Sequence, residues 1–259
     1  MDPLAVAKEV AADLRRRGAT GVALVGSHAR GEAHVHSDLD VVALGRGEGG
    51  LRLVGGVLVS ESWLPVEDLD GIWSDVALVG QNVPGWRSAR PLADPDGDIA
   101  ALKQRAEAWT WDQLGDAPDR WVAAEVPAYA EEIFRLIGHL TAGRALAAGV
   151  MRNVCANRMA WTLGVHHRLL YETENRLWDL VAERMGAGWL ERQRAAFGIG
   201  VGFADSCWAA ADLFAMTGRE VDALLSADGR AVVDAAVRAA RVARPTSPDE
   251  AGSGRDDDR

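Results

Sequence analysis

The sequence predicts an α+β chain, a mixed-sheet domain followed by an all-α helical bundle. Up to about residue 98, short apolar runs alternate with turn residues, the spacing of strands. Beyond that point the apolar period lengthens to that of amphipathic helices. At 259 residues the chain is long enough for two separate cores.

The elements follow in order. "LAVAKEVAADLRRR" (4–17) places Leu4, Ala7, Val10, Ala11 and Leu14 at helical spacing, with arginines in the last turn and Gly18 beyond it. "GVALVGS" is a buried strand ending in Gly-Ser, and "LDVVALG" (39–45) is a second strand. "LRLV" and "VLVSESWL" form a hairpin about Gly55-Gly56. "SDVALVG" (74–80) fits a strand or a short helix, and "RPLADPDGD" fits a short strand and a turn. "APDRW" then punctuates the chain, giving domains at 1–118 and 119–244. Helices are expected over 121–148, with Gly149 as a breaker, and over 151–171, 175–186, 204–217 and 219–243. The tail 245–259 has no apolar periodicity and is expected to be disordered.

Bulk properties narrow the function. A net charge of −10 repels nucleic acid and anionic membrane surfaces, so neither is an expected partner. Cys155 and Cys207 are isolated, as in a reduced compartment, and the first residues lack a signal-peptide pattern. A cytoplasmic protein is expected.

The chemistry concentrates in "GSHARGEAHVHSDLD" (26–40). Asp38 and Asp40 are two residues apart at the start of a strand, so both project to one face. Two carboxylates this close repel, and a divalent cation is the usual way to hold both ionised. An all-oxygen ligand set suits Mg²⁺. Glu61, on the face of Val57, Val59 and Trp63, is the candidate third carboxylate. Upstream, Gly26 lets a phosphate approach the backbone, the Ser27 hydroxyl can donate to it, and Arg30 can pair with it. Phosphates beside a carboxylate trio describe phosphoryl or nucleotidyl transfer, an in-line displacement assisted by two metal ions. "GSHARG" is neither a P-loop nor GxGxxG. His28, His34 and His36 read as loop residues. His166 and His167 point about 100° apart on a helix and read as structural. The ten tryptophans read mostly as core.

This arrangement resembles the nucleotidyltransferase superfamily signature, Gly-Ser followed by two acids one residue apart. Gly26, Ser27, Asp38 and Asp40 match it, with Glu61 as third carboxylate and Arg30 where many members have arginine. "AEEIFRLIGH" (130–139) and "LGVHHRLLYET" (163–173) are similar to segments of the kanamycin (aminoglycoside) nucleotidyltransferases. The resemblance implies AMP transfer from Mg-ATP to a hydroxyl, with release of pyrophosphate. It also implies a homodimer, with sites lined by both domains, and a link to antibiotic resistance. Asp38, Asp40 and Glu61 would hold Mg²⁺, and Ser27 and Arg30 the triphosphate.

Two departures qualify the resemblance. Arg135 occupies the place of that family's proposed base, and a guanidinium cannot accept a proton. Glu131, Glu132 or Glu61 would have to serve instead. His139 stands where the family has a lysine and becomes a candidate nucleotide contact. The connection "GRGEGG" (45–50) carries one acid, Glu48, and so offers little to a polycation. An uncharged or anionic hydroxyl compound is therefore the better acceptor. The alternatives are a protein AMPylase of the antitoxin type and a non-catalytic nucleotide-sensing module.

Overall fold

The computed structural model describes residues 2–245; the tail expected to be disordered lies, from residue 246 on, outside the described residues. The chain divides into two compact units. The first holds the described residues up to Pro118 together with His167–Leu180, and the second holds Asp119–His166 and the described residues from Val181.

The first unit opens with α1 (Pro3–Arg16), whose Asp2 cap accepts from the Leu4 amide at 3.1 Å. β1 (Gly21–Val25), α2 (Gly26–Arg30), β2 (Leu39–Leu44), β3 (Gly50–Val54) and β4 (Val57–Leu64) follow. Then come α3 (Gly71–Ser74), α4 (Val79–Ser88), β5 (Arg90–Ala93) and α5 (Asp98–Ala108). The strands form one mixed sheet in the order β3-β4-β2-β1-β5. β2 and β4 run parallel; the other neighbours are antiparallel.

Alternation divides the sheet into two faces. Val22, Leu24, Leu39, Val41, Ala43 and Val59 pack with the apolar stripe of α1. Ala23, Val25, Val42, Leu44 and Leu64 pack with α3, α4 and α5. Trp109 and Trp111 close this second core edge to face, their ring centroids 5.4 Å apart. The buried Trp109 indole donates to the Trp73 carbonyl at 3.1 Å.

Two tight approaches fix the β2–β3 connection. A Cβ on Gly47 would lie 2.4 Å from the Trp63 ring, and one on Gly49 would lie 2.3 Å from the Glu61 carbonyl oxygen. The connection is therefore held closely against β4.

The second unit contains α7 (Ala130–Thr141), α8 (Ala145–His166), α10 (Ala187–Ala196), α11 (Phe203–Glu220) and α12 (Ala227–Ala243), while α6 (Ala117–Ala128) and α9 (Glu174–Met185) cross the division. The helix expected over 121–148 is two helices meeting at Tyr129. The break expected at Gly149 falls at Gly143, whose φ of +69° is left-handed. Gly149 continues α8, with Phe203 3.4 Å from where its Cβ would stand. The helix expected to run from 219 is interrupted by a 3-10 turn, and α12 starts at a Ser226 cap that accepts from the Gly229 amide at 3.0 Å. α4 and α10 were not anticipated as helices. Among the described residues no helix is long and apolar enough to cross a membrane.

His167–Leu180 groups with the first unit. The Tyr171 amide donates to the Gly80 carbonyl at 2.9 Å, and its ring covers Gly80 so closely that a Cβ there would stand 2.9 Å away. Arg168 sits over Trp111 at 5.9 Å.

The glycine approaches give a direct test. Gly49→Ala should lower stability by about 1–3 kcal/mol, because its new methyl meets backbone. Gly50→Ala meets open space and should stay within about 0.5 kcal/mol. Denaturant unfolding of the two variants checks both.

Candidate active site

β1 ends at Val25, which pairs with Asp40 across the antiparallel ladder. The chain then turns at Gly26, φ +68°, into the five-residue α2. Here glycine is required twice. The left-handed φ disfavours a side chain, and a Cβ would stand 2.1 Å from Asp40 Oδ2. The Asp40 carboxyl thus lies directly over the Gly-Ser turn.

α2 ends at Gly31, also left-handed, and the Glu32 amide returns to the Ser27 carbonyl at 3.0 Å. This turn buries Arg30, whose side chain is 9% exposed and donates to Glu32 at 2.7 Å. His34 and His36 lie on an exposed loop folded on itself, His34 accepting at Nδ1 from the His36 amide.

The electrostatics of Asp40 identify its neighbours. Burial and the Asp38 carboxylate raise its pKa above the ordinary value, while Arg30 and His28 act to lower it. His28 Nε2 is buried without a hydrogen-bond partner. The structure therefore brings together Gly26, Arg30, Asp38 and Asp40, with Ser27 in the same turn, and adds His28, which sequence reasoning left in the loop. The signal was present in its place in the turn, two residues from both Gly26 and Arg30.

Glu61 is placed elsewhere. In the parallel pairing of β2 with β4, Asp40 is opposite Ser60 and Val41 is opposite Glu61. Residues opposite one another share a face. Asp40 and Ser60 thus share the face that packs with α3, α4 and α5, whereas Glu61 lies with Val41 and Val59 on the face of α1. There its side chain is 4% exposed and accepts from Arg17 at 2.9 Å and from Arg52. Asp13 accepts from Arg52 at 3.1 Å, and Arg17 lies over the Trp63 ring at 5.4 Å and donates to the Glu48 carbonyl. The expectation that Glu61 completes the metal site is corrected by this register. Its alternation with Val57, Val59 and Trp63 was read rightly, but that face carries the α1 core.

In the second unit Glu131, Glu132, Arg135 and His139 all lie on α7. Arg135 donates to Glu131 and, at 3.0 Å, to Glu132. Both candidate bases are therefore tied to a guanidinium, although Glu132 Oε2 is buried without a partner. His139 borders an apolar groove with Arg144, Leu146, Val150 and Met151.

Asp38 and Asp40 suit a hard divalent cation. They are two carboxylates close enough to repel, beside a buried imidazole nitrogen with an unmet hydrogen bond, over a turn that no side chain fills.

Charge removal separates the two carboxylate groups. A carboxyl whose folded pKa is raised contributes most to stability when protonated, and that contribution is lost as pH rises through the folded pKa. Ionised Asp40 therefore works against the fold at neutral pH. Asp40→Asn should raise the ligand-free Tm at pH 7 by about 2 °C, and the gain should shrink as pH falls toward 4. Glu61→Gln should instead cost about 2 kcal/mol, since two arginines lose their buried partner. Thermal melts from pH 4 to 7 check both signs.

Comparison with known proteins agrees with this geometry. Residues 7–69 match the family model described as "Nucleotidyltransferase domain". No curated protein matches. A nucleotidyltransferase-like protein from Exiguobacterium sibiricum 255-15 shares the fold at a TM-score of 0.50 and 7% identity, over 85% of this chain and 74% of that one. The matched residues contain the Gly-Ser turn, both aspartates and β4, so residues 7–69 are similar to a nucleotidyltransferase domain, and the chain shares its fold with that solved structure.

Proposed function

We propose that the chain is an adenylyltransferase that moves AMP from Mg-ATP to a hydroxyl of a small molecule, releasing pyrophosphate. The observation that carries this reading is the placement of Asp40 over Gly26, with Asp38, His28 and Arg30 around it. The cluster suits a polyphosphate with its counter-ion.

In this reading Asp38 and Asp40 hold Mg²⁺, which when bound neutralises charge on the phosphates. Gly26 leaves the backbone open to a phosphate oxygen, and Ser27 donates a hydrogen bond to it. Arg30, held by Glu32, presents its remaining guanidinium donors to the triphosphate. The acceptor oxygen forms a bond to the α-phosphorus as the bond to the β-phosphate oxygen breaks, and pyrophosphate leaves. The acceptor proton passes to solvent. The first unit is the catalytic domain and the second the acceptor-binding domain, with a homodimer as the assembly.

A second reading has its own support. The pairing of both α7 glutamates with Arg135, and the absence of Glu61 from the aspartate face, fit a module that binds nucleotide without transferring it.

Protein incubated with Mg²⁺, α-labelled ATP and a panel of hydroxylated small molecules should give an adenylylated product. Asp38→Asn and Asp40→Asn should lower its rate about 100-fold or more. Tight ATP binding with no product across the panel would favour the non-catalytic module. Absence of both product and ATP binding would remove both readings.

A further inference from the structure

We infer that the site holds a single divalent cation, carried between Asp38, Asp40 and the nucleotide phosphates, and that Ser60 stands where a second cation would need a carboxylate. This inference rests on the nucleotide-transfer reading above and departs from the two-ion expectation.

The ladder supplies the argument. Ser60 is the β4 residue opposite Asp40, at the interstrand spacing of about 4.8 Å. By alternation its face of β4 carries Leu58, Ser62 and Leu64. On β3, Leu51 opposes Ser60 and Leu53 opposes Leu58. On β1, Val25 opposes Asp40. No carboxylate from these strands joins Asp38 and Asp40 on this face.

Glu61 cannot be recruited by rotating a side chain. It points through the opposite face, between Arg17 and Arg52. Moving it across would require β4 to slip by one residue, which would turn Val59 out of the α1 core and the whole strand with it. Glu32, the other acid joined to this site, is engaged by Arg30.

Ligand chemistry points the same way. A serine hydroxyl is a neutral ligand, whereas hard cations such as Mg²⁺ bind chiefly through carboxylates and phosphates. An acceptor at this site would lose its proton without a metal ion of its own.

The test counts ions directly. The full chain is titrated with Mn²⁺ in the presence of a non-hydrolysable ATP analogue, and bound Mn²⁺ per bound nucleotide is read by electron paramagnetic resonance. The native chain is expected to bind one, and Ser60→Asp is expected to bind two. Two ions in the native chain, or one in a folded Ser60→Asp variant, would overturn the inference while leaving the nucleotide site standing. No bound Mn²⁺ would overturn the inference and the nucleotide-transfer reading together. Should Ser60→Asp fail to fold, the native complex at saturating Mn²⁺ decides alone. An uncoupled Mn²⁺ spectrum is expected, and dipolar coupling between two ions would refute the single-cation site.

Discussion

The parallel pairing of β2 with β4 governs the chemistry of the first unit. Its register sets Asp40 opposite Ser60 and Val41 opposite Glu61, so one residue of phase separates two kinds of acid. On one face the aspartates stand over a glycine turn, near solvent and a basic turn. On the other, Glu61 is sealed under α1. Its burial is sustained by two guanidinium groups, and the same Arg17 caps the Glu48 carbonyl and covers Trp63. α1, the β2–β3 connection and β4 are thereby tied into one block. A carboxylate in a strand can serve as a ligand or as an internal anchor, and here its partners make it an anchor.

The aspartate face is arranged against its own charge. Burial and mutual repulsion disfavour ionised Asp40, and Arg30 and His28 only partly offset them. A site left in this state gains when a cation arrives, because binding relieves a repulsion that the fold already carries. The glycine at residue 26 serves that end, since any Cβ would take the space of Asp40 Oδ2. On α7 each carboxylate has a cationic partner, because Arg135 pairs with both Glu131 and Glu132.

Much of this was legible in the sequence. Short apolar runs bounded by turn residues gave β1, β2 and the β3–β4 hairpin, and Gly26 with the aspartate pair marked the site. The misplacement of Glu61 has a physical cause. Alternation tells which residues of β4 share a face, but only the register with β2, a contact between distant parts of the chain, tells which face holds the aspartates. Helix boundaries were missed for a similar reason. Gly143 and Gly149 look alike in sequence; one adopts a left-handed φ and ends a helix, the other lets Phe203 approach and does not. Likewise His167–Leu180 reads as a continuation of the helical half until Tyr171 is seen to close on Gly80.

The central claim is that the phase of β4 removes Glu61 from the metal site and leaves Asp38 and Asp40 to do its work. A crystal structure with Mg²⁺ and a non-hydrolysable ATP analogue tests it most directly. The account expects a cation bridging both aspartates and the phosphates over Gly26, with Glu61 still between Arg17 and Arg52. A cation coordinated by Glu61, or a nucleotide bound away from the Gly26 turn, would contradict it.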